Sequence, residues 1–478
     1  MDGFNSPDGK MHPDDRRNLI IFAVLSILVW FSFDHYLLTP HLEKMKAAKE
    51  AAVNLPSLAS VTGAEAVRPR ESIIADGQRI AIRNDKIFGS LPLVGARLDD
   101  MKLVDHYKTL EKTDHVVLLT PAGAPYAKYV DFGWLPGDGV TAEALPGNET
   151  RWQLAEGSAD TLTANNNVKL VWNNGRGLRF ERVIALDSDS MITVTQNVTN
   201  TGGKTVTLYP YALIAQRGLP EEYYGRATVH EGPIGYIGGK LIEHSYKKMT
   251  KEPRDEIQAT SGWIGITEKY WLTSVIPAQN ENTKFRFLYT PSQYSDQQPL
   301  FQTDIVGVPR VLKAGETATA AQHVFTGAKK IDSLQSYEES LGVKHFDLAV
   351  DFGLWYFLTK PFFWILNFLA GHVGNFGVAI IILTVMVRAM VFPLANASFR
   401  SFAQMKKVAP RMKELRDQYA DDKAGLQAEL VKLYEKEKVN PMAGCLPILI
   451  QIPIFFALFK VFSVTIEMRH APFFGWIH

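Results

Sequence analysis

The sequence predicts a multi-pass α-helical membrane protein with a large all-β domain outside the cytoplasm and a helical hairpin inside it. Three observations lead to this prediction. Apolar segments long enough to cross a bilayer lie at residues 18–38, 375–394 and 440–466. Between the first two, runs of β-branched and aromatic residues alternate with turn sequences. Between the last two lies a charged segment with helical periodicity.

The first apolar segment is predicted to be an uncleaved signal anchor at residues 18–38. Arg16 and Arg17 precede it, which places residues 1–17 in the cytoplasm by the positive-inside rule. The sequence after the segment has no small-x-small cleavage site, and this favours an anchor over a removed signal peptide. Residues 39–71 form a polar linker.

Residues 72–341 are predicted to form a β-sandwich domain, which in a bacterium lies in the periplasm. Ile192, Val194 and Val198 alternate with polar residues, and a period of two is typical of a half-buried strand. Many such strands without helices between them predict a large antiparallel sandwich. The turn sequences include Asn-Asn-Gly at 173–175, Thr-Gly-Gly-Lys at 201–204 and Gly-Gly at 238–239.

Two apolar segments follow the β domain, and they are predicted to have different roles. Residues 352–371 are aromatic and broken by Pro361, so we interpret them as an amphipathic helix that lies on the outer face of the membrane. Residues 375–394 form the true span, and Pro393 marks its cytoplasmic end.

Residues 395–439 are predicted to form an antiparallel helical hairpin. Ten Lys/Arg against seven Asp/Glu place it in the cytoplasm, and Asp421 and Asp422 are suited to cap its second arm. Residues 440–466 then cross outward, so that residues 467–478 are a periplasmic C-terminal segment. The apolar seam comprises Phe402, Met405, Met412, Leu415 and Tyr419 in the first arm and Leu426, Leu430 and Leu433 in the second.

Composition and motifs exclude several function classes. A formal net charge of +1 over 478 residues argues against nucleic acid as the main partner. A single cysteine, Cys445, excludes a disulfide framework and a cysteine-based metal site. The histidines of the β domain lack metal spacing, and no nucleophile elbow, HExxH motif or phosphate loop occurs. We therefore predict no cofactor, no metal and no enzymatic activity.

Arg388 is the candidate functional residue, because it is a lone charge inside the span at 375–394. It lies 13 residues after Asn375, about 20 Å along a helix and well inside a hydrocarbon core of about 30 Å. Such a placement costs about 2.5–3.5 kcal/mol on insertion scales, so a water-filled cavity or a partner is expected. The spans at 375–394 and 440–466 contain no acidic residue to neutralise it, and Asp34 in the first span lies near the outer end of that segment.

Thr384 and Gln451 are expected to join Arg388 in a polar patch at membrane depth. Thr384 lies four residues before Arg388 and therefore on the same helix face. Gln451 brings an amide into the last span between Pro447 and Pro453. For each of them alone the simpler interpretation is a hydrogen bond to the helix backbone or to a neighbouring helix.

The order of these elements resembles the YidC-type membrane protein insertases of Gram-negative bacteria. The resemblance covers nearly the whole chain. Its strongest local matches are GNFGVAIIILTVMVRAMVFPL, AQMKKVAPRMKELR, KVNPMAGCLPILIQIPIFFAL and EMRHAPFFGWIH, with GWIGITEKYWLTSVIP in the β domain.

The resemblance implies an insertase and folding chaperone for inner-membrane proteins, which works alone or beside the Sec translocon. By position, Arg388 is the arginine of a hydrated groove, Thr384 lies on its face, and Gln451 lines the adjacent span. A client segment would leave this groove towards lipid past apolar residues such as Phe455 and Leu458. The periplasmic domain would be a β-supersandwich related to sugar-processing folds but without their catalysis.

The implied partners are nascent inner-membrane proteins, the Sec translocon and the lipid bilayer. The hairpin is either a solubilising coiled coil or a docking site for ribosome or signal recognition particle components. The family has two further spans beyond the position of His478, and these would form the other wall of the groove. We therefore expect either a truncated form or fragment, or a chain that is not an active insertase by itself.

The alternative function is a membrane-anchored periplasmic carbohydrate-binding or carbohydrate-modifying protein. In that case the helices are only anchors, and aromatic residues such as Trp263, Tyr270 and Trp271 line a cleft. Those aromatic residues are most simply core. An anchor requires neither a buried arginine nor a charged hairpin, and an enzyme should show clustered acid and base residues in the sandwich, which this sequence lacks. Both points favour the insertase.

Overall fold

The computed structural model describes residues 67–225, 228–292, 298–353, 355–419, 422–437 and 446–474. These residues belong to one compact unit, Ser60–His478. The predicted anchor at 18–38 lies outside the described residues, as do nearly all of the linker, Cys445 and the last four residues of the chain.

The β domain is built from strands of three sheets. The strands are β1 Arg79–Arg83, β2 Ile87–Pro92, β3 Asp100–Tyr107, β4 His115–Leu119, β5 Lys128–Pro136, β6 Gln153–Leu154, β7 Thr161–Leu162, β8 Val168–Asn173, β9 Leu178–Leu186, β10 Met191–Asn200, β11 Val206–Arg217, β12 Gly232–Ile237, β13 Lys240–Glu243, β14 Arg254–Ala259, β15 Gly262–Thr267, β16 Trp271–Ile276, β17 Thr283–Thr290, β18 Leu300–Val306, β19 Arg310–Leu312 and β20 Thr317–Ala328. In the described part of the chain the sheet orders are β4-β3-β2-β1-β7, then β13-β12-β15-β16-β20-β10-β9-β8-β6, and β14-β17-β18-β11-β19 with β5 also paired to β11.

The large all-β domain that the sequence predicts is confirmed. In β10, Ile192, Val194 and Val198 are fully buried, while the threonines between them are partly exposed. The predicted turns at 173–175, 201–204 and 238–239 join β8 to β9, β10 to β11 and β12 to β13. Alternation therefore identified the buried face, because successive side chains of a strand point to opposite sides.

Two features of this domain differ from the expectation of a wholly antiparallel sandwich without helices. Ile82 of β1 pairs in parallel with Leu162 of β7, a strand that follows about 80 residues later in the chain. Short helices also occur, α1 at Arg70–Ala75 and α2 at Tyr246–Lys251, and α3 follows the last strand at Ile331–Leu341. Ser245 caps α2 by accepting a hydrogen bond from the Lys248 amide, a local signal typical of a helix start.

The aromatic segment after the domain forms a single helix, α4, at Tyr356–Val373. Pro361 lies inside α4, so the prediction that it breaks the segment is wrong. A proline removes one backbone hydrogen bond, but packing offsets this cost because Phe362, Phe363 and Leu366 are buried. Phe357, Trp364 and Phe368 are exposed, which gives α4 a second apolar face.

Three further helices complete the described chain: α5 at Phe376–Gln418, α6 at Lys423–Lys436 and α7 at Leu446–Val464. Among the described residues, α5 alone is long and apolar enough to cross a membrane, judged by length and composition. A shorter apolar helix covers Ile450–Val464. With 43 residues, α5 is about 65 Å long and continues without interruption past Pro393 and Pro410.

The second half of α5 packs against α6 along the predicted apolar seam. The Tyr434 hydroxyl lies 3.7 Å from the Met412 sulfur, and Arg411 forms a 2.5 Å ion pair with Glu437. Asp422 caps α6 by accepting a hydrogen bond from the Gly425 amide. The seam residues Leu415 and Leu430 are partly buried, whereas Phe402 and Asp421 lie outside the described side chains.

The β domain and the helices share one apolar cluster. Trp263 is fully buried and packs edge-on against Phe346, with ring centroids 5.3 Å apart. Phe352 continues the cluster to Phe363 of α4, with centroids 5.7 Å apart. Leu383 of α5 and residues of α7 close it. The apolar cluster therefore extends from the nine-stranded sheet to the helices.

Candidate functional site

The position of Arg388 is set by where α5 begins. Gly374 adopts a left-handed conformation, with φ of 70°, and ends α4. Asn375 follows as the N-cap of α5, and its side-chain oxygen accepts a 3.1 Å hydrogen bond from the Val378 amide. The helix therefore starts where the sequence predicts the span to start, and Arg388 falls on its fourth turn.

A cavity of about 340 Å³ lies between α5 and α7 and contains all four residues that the sequence singles out. We call this cavity the groove. On both helices its lining residues recur at spacings of three, four and seven, which is one face of a helix. The groove is lined by Thr384, Val387, Arg388, Val391, Phe392 and Ala395 of α5 and by Gln451, Ile454, Phe455 and Leu458 of α7.

Arg388 is exposed, and within the described residues its guanidinium has no hydrogen-bond or ion-pair partner. Neither α4, α7 nor the first half of α5 contains an acidic residue. The charge therefore faces the groove uncompensated by these helices. An arginine held in this way is available to a ligand, because no internal ion pair has to be broken first.

The two neutral polar residues of the groove behave differently. The Thr384 hydroxyl donates a 2.7 Å hydrogen bond to the Ile380 carbonyl, which is the simpler role expected for it. It still lines the groove. The Gln451 side chain is exposed and has no hydrogen bond to another described residue, so the interhelical bond expected as its simpler role is not found among those residues. Gln451 therefore offers a free donor and acceptor to the groove.

Apolar surface surrounds these polar groups. Phe455 is 62% exposed and Phe392 is 65% exposed, although both are large apolar side chains. The Phe455 ring stacks on Phe459 with centroids 6.5 Å apart, which extends the apolar surface along α7. The groove thus combines one cation and a few polar groups with walls that favour an apolar ligand.

Sequence reasoning missed most of the apolar lining residues. Val387, Val391 and Phe392 lie within four residues of Arg388, and Ile454 lies three residues after Gln451. Extending the i+3 and i+4 spacing outward from the two polar residues would have identified them.

Several titratable residues of the β domain are buried or paired. Hydrogen bonding to His244 at 2.9 Å lowers the pKa of Asp255 despite its burial. Burial lowers the pKa of His106 and of His230 to about 4. Lys128 and Glu268 form a 2.8 Å ion pair. In the described part of the chain, no cluster of three or more His, Cys, Asp or Glu is arranged to hold a metal ion.

Family models match the chain in two adjoining segments. Residues 79–365 match the YidC periplasmic domain, and residues 368–478 match the family described as 60Kd inner membrane protein. A protein of Beijerinckia indica named membrane protein insertase YidC is 41% identical, with 97% of this chain and 79% of that protein covered. A protein of the same name from Bradyrhizobium diazoefficiens is 39% identical, with 97% and 80% covered.

Solved structures similar to this chain include a crystal structure titled an active YidC insertase. It is 17% identical, covers 84% of this chain and 76% of that one, and gives a TM-score of 0.26. A galactose mutarotase related enzyme from Lactobacillus acidophilus is 12% identical, covers 52% and 97%, and gives a TM-score of 0.34.

Proposed function

This chain belongs to the YidC family of membrane protein insertases, and from that premise we propose that clients enter the membrane through the groove between α5 and α7. The chain is an inner-membrane protein that inserts membrane proteins and carries a periplasmic domain. The observation that carries the proposal is the convergence of Arg388, Thr384, Gln451 and Phe455 on one cavity.

The proposed topology places the first half of α5 and the whole of α7 across the membrane. The apolar residues of α5 extend from Phe376 to Leu394, and beyond them the helix is charged. The hairpin of α5 and α6 then lies in the cytoplasm, which its excess of Lys and Arg supports. α4 lies along the outer interface, with Phe357, Trp364 and Phe368 in contact with lipid.

Arg388 attracts the hydrophilic tail that a client segment must carry across the bilayer. Two opposite charges 4 Å apart attract by about 1 kcal/mol in water and about 4 kcal/mol at the effective dielectric constant near a protein surface. An attraction in this range lowers the barrier for an acidic tail without trapping it. The exposed amide of Gln451 gives the tail a further hydrogen-bonding group.

The client's apolar segment then leaves the groove past Phe392 and Phe455 into lipid. Its transfer out of water yields about 0.8 kcal/mol for each buried CH₂ group, so that a whole segment supplies ample driving force. The exposed aromatic rings provide an apolar path that has no hydrogen bonds to break. Burial of the client segment therefore drives the step.

The hairpin is the proposed contact for cytoplasmic partners. Lys406, Lys407, Lys413 and Arg416 are exposed along the second half of α5. Exposed cations on a long helix suit the acidic surface of ribosomal RNA or of a signal recognition particle. The Sec translocon is the proposed partner within the membrane for clients that have large translocated domains.

Site-specific photocross-linking tests the groove. A photoreactive phenylalanine derivative is placed at Phe392, which lines the groove, and for comparison at Met390, which is exposed on the far side of α5. With a stalled nascent client in inner-membrane vesicles, we expect cross-links from position 392 and few from position 390. Equal yields at the two positions, or a higher yield at 390, would contradict insertion through the groove.

A further inference from the structure

The outer end of α7 is fixed by an ion pair between Lys460 and Asp351. The Lys460 ammonium donates to Asp351 Oδ2 at 2.7 Å and also to the Thr228 carbonyl. The same Oδ2 accepts from the His230 amide at 2.8 Å, and Oδ1 accepts from the Gly353 amide at 2.9 Å. One carboxylate thus joins α7, the segment that leads into α4, and the loop before β12.

The surroundings of this pair exclude most water. The Lys460 side chain is 13% exposed and that of Asp351 is 19% exposed. Gly353 has a φ of 71°, and a Cβ atom there would lie 3.2 Å from Lys460 Cε, so that the lysine stem fills the space beside this glycine. Because the pair is largely desolvated, removal of one partner leaves the other charge uncompensated, and this costs more than the loss of a typical surface ion pair.

α7 needs such a constraint because it is apolar on every side. Between Leu446 and Val464, Lys460 is the single charged residue. In lipid, an apolar helix gains little from burying one apolar face rather than another, and its rotation about its own axis is weakly fixed. Rotation decides which side chains of α7 point into the groove.

Lys460 lies on the side of α7 opposite to the groove. It follows Leu458, a groove residue, by two positions, which is a turn of about 200° around the helix axis. A contact at the back of the helix therefore sets the direction of Gln451 and Phe455 at the front.

We propose that Lys460 and Asp351 are positioning residues that fix the rotation of α7 and so keep its Gln451 and Phe455 face directed at Arg388. This inference rests on the proposed function of the groove and adds how its geometry is maintained.

A second contact attaches the segment after α7 to the β domain, so the effect of the Lys460–Asp351 pair on the rotation of α7 can be measured without unfolding the protein. After α7, the Arg469 guanidinium donates to the carbonyls of Tyr107 at 3.1 Å and Lys108 at 3.2 Å. It also lies over the rings of Tyr270 and Trp271, at 5.7 and 5.2 Å from their centroids. Without the Lys460–Asp351 pair, α7 stays attached to the periplasmic domain but is freer to rotate.

Cysteine cross-linking across the groove tests the proposal in the full chain with Cys445→Ala. Val391→Cys on α5 is paired either with Ile454→Cys, which lines the groove, or with Ile452→Cys, which is exposed about 200° away on α7. We expect a short thiol cross-linker to join 391 to 454 and not to 452. This preference should be lost in Lys460→Met, in Asp351→Asn and in the double variant. The loss in the double variant should be no larger than the loss in either single variant. Lys460→Arg should keep the preference, because it keeps the charge.

The control is Lys360→Met, which removes the 2.8 Å ion pair between Lys360 and Asp347, two residues that both lie outside α7. It should leave the preference for position 454 unchanged. A preference that survives in Lys460→Met, or that is lost equally in Lys460→Arg, overturns the proposal. If the Lys460→Met protein is degraded, cross-linking of Asp351→Asn tests the proposal instead, and a preference for position 454 that survives in Asp351→Asn overturns it. The assay contains no client, so its result is independent of whether clients use the groove.

Discussion

Asn375 and Phe473 join the start of α5 to the segment that follows α7. The Asn375 side-chain amide donates a 2.6 Å hydrogen bond to the Phe473 carbonyl, while its oxygen caps α5. The Phe473 ring packs directly on Gly377, where any side chain would overlap it. One amide and one glycine therefore close the outer end of the pair of helices that form the groove.

Gly377→Ala is expected to destabilise the protein. A methyl group at 377 forces the Phe473 ring aside and strains its neighbours, at a cost of about 1–3 kcal/mol for overpacking. The measurement is the thermal unfolding midpoint in detergent. Gly371→Ala in α4 is the matched control, because nothing lies within 4 Å of its added carbon. It should be neutral or slightly stabilising, and an equal loss in both variants would contradict the packing argument.

Arg388→Lys should retain much of the insertion activity, whereas Arg388→Ala should lose insertion of clients that have acidic tails. The guanidinium has no fixed partner among the described residues, so a point charge is enough for attraction. The loss should be smaller for clients with short neutral tails, because Thr384 and Gln451 still hydrate the groove.

Complementation is measured for both Arg388 variants together with protein level and with client tail charge varied. Equal failure of Lys and Ala, accompanied by degraded protein, would mean that Arg388 serves helix packing instead.

A charge placed in the apolar seam of the hairpin should disrupt the packing of α5 on α6 and reduce client insertion. Leu415→Asp or Leu430→Asp places a carboxylate between α5 and α6, where both residues are partly buried, and should separate the arms. Val431→Asp is the control, because Val431 is half exposed on the outer side of α6. Client insertion is measured for all three. Normal insertion by the seam variants would show that the packed hairpin does not matter for activity.

Most of the periplasmic domain should be dispensable for insertion. A variant that lacks roughly residues 72–326 keeps Asp351, Lys460 and every groove residue, together with both partners of the Phe352–Phe363 contact. We expect it to insert clients at a rate close to that of the intact chain, as followed by protease protection of a short-tailed client. A stably expressed deletion that inserts nothing would refute this expectation.

The stability of the folded chain should fall between pH 6.5 and pH 4, in part through His230. Burial lowers the pKa of His230 from 6.5 to about 4, so the unfolded chain binds more protons than the folded chain in this window. Stability therefore rises with pH there and is fully present above pH 6.5. The contribution is up to about 3 kcal/mol, since each pKa unit corresponds to about 1.4 kcal/mol.

His230→Gln should lose less stability on acidification than the native chain, as measured by near-UV circular dichroism of thermal unfolding at each pH. His372→Gln is the control, because His372 is exposed. Identical pH profiles for His230→Gln and the native chain would exclude this contribution.

Local periodicity predicted those features that depend on neighbouring residues alone. The alternation around Val194 identified a buried strand face, and the spacing around Leu415 and Leu430 identified the seam between α5 and α6. It could not predict the pairing of Ile82 with Leu162, because strand partners distant in sequence are chosen by global packing.

For the groove, local sequence likewise predicted one helix face but not the contacts between distant residues that hold α7 in place. The lone charge and Thr384 four residues before it indicated one face of α5, and the apolar lining follows from that face. Asp351 and Lys460 lie more than a hundred residues apart, and nothing in either local sequence pairs them. Pro361 was misread because the burial of Phe362 and Phe363 outweighs a local helix-breaking tendency.

Because α5 is one unbroken helix, a sideways movement at its far end is transmitted along its length. For rotation about the Asn375–Phe473 hydrogen bond, Arg388 lies about 20 Å from the pivot and Gln418 lies about 65 Å from it. A rigid rod with these arm lengths reduces motion about threefold, so a sideways shift of about 3 Å at the hairpin end becomes about 1 Å at the arginine. A sideways displacement of the hairpin end would therefore change the width of the groove by only about a third of that displacement.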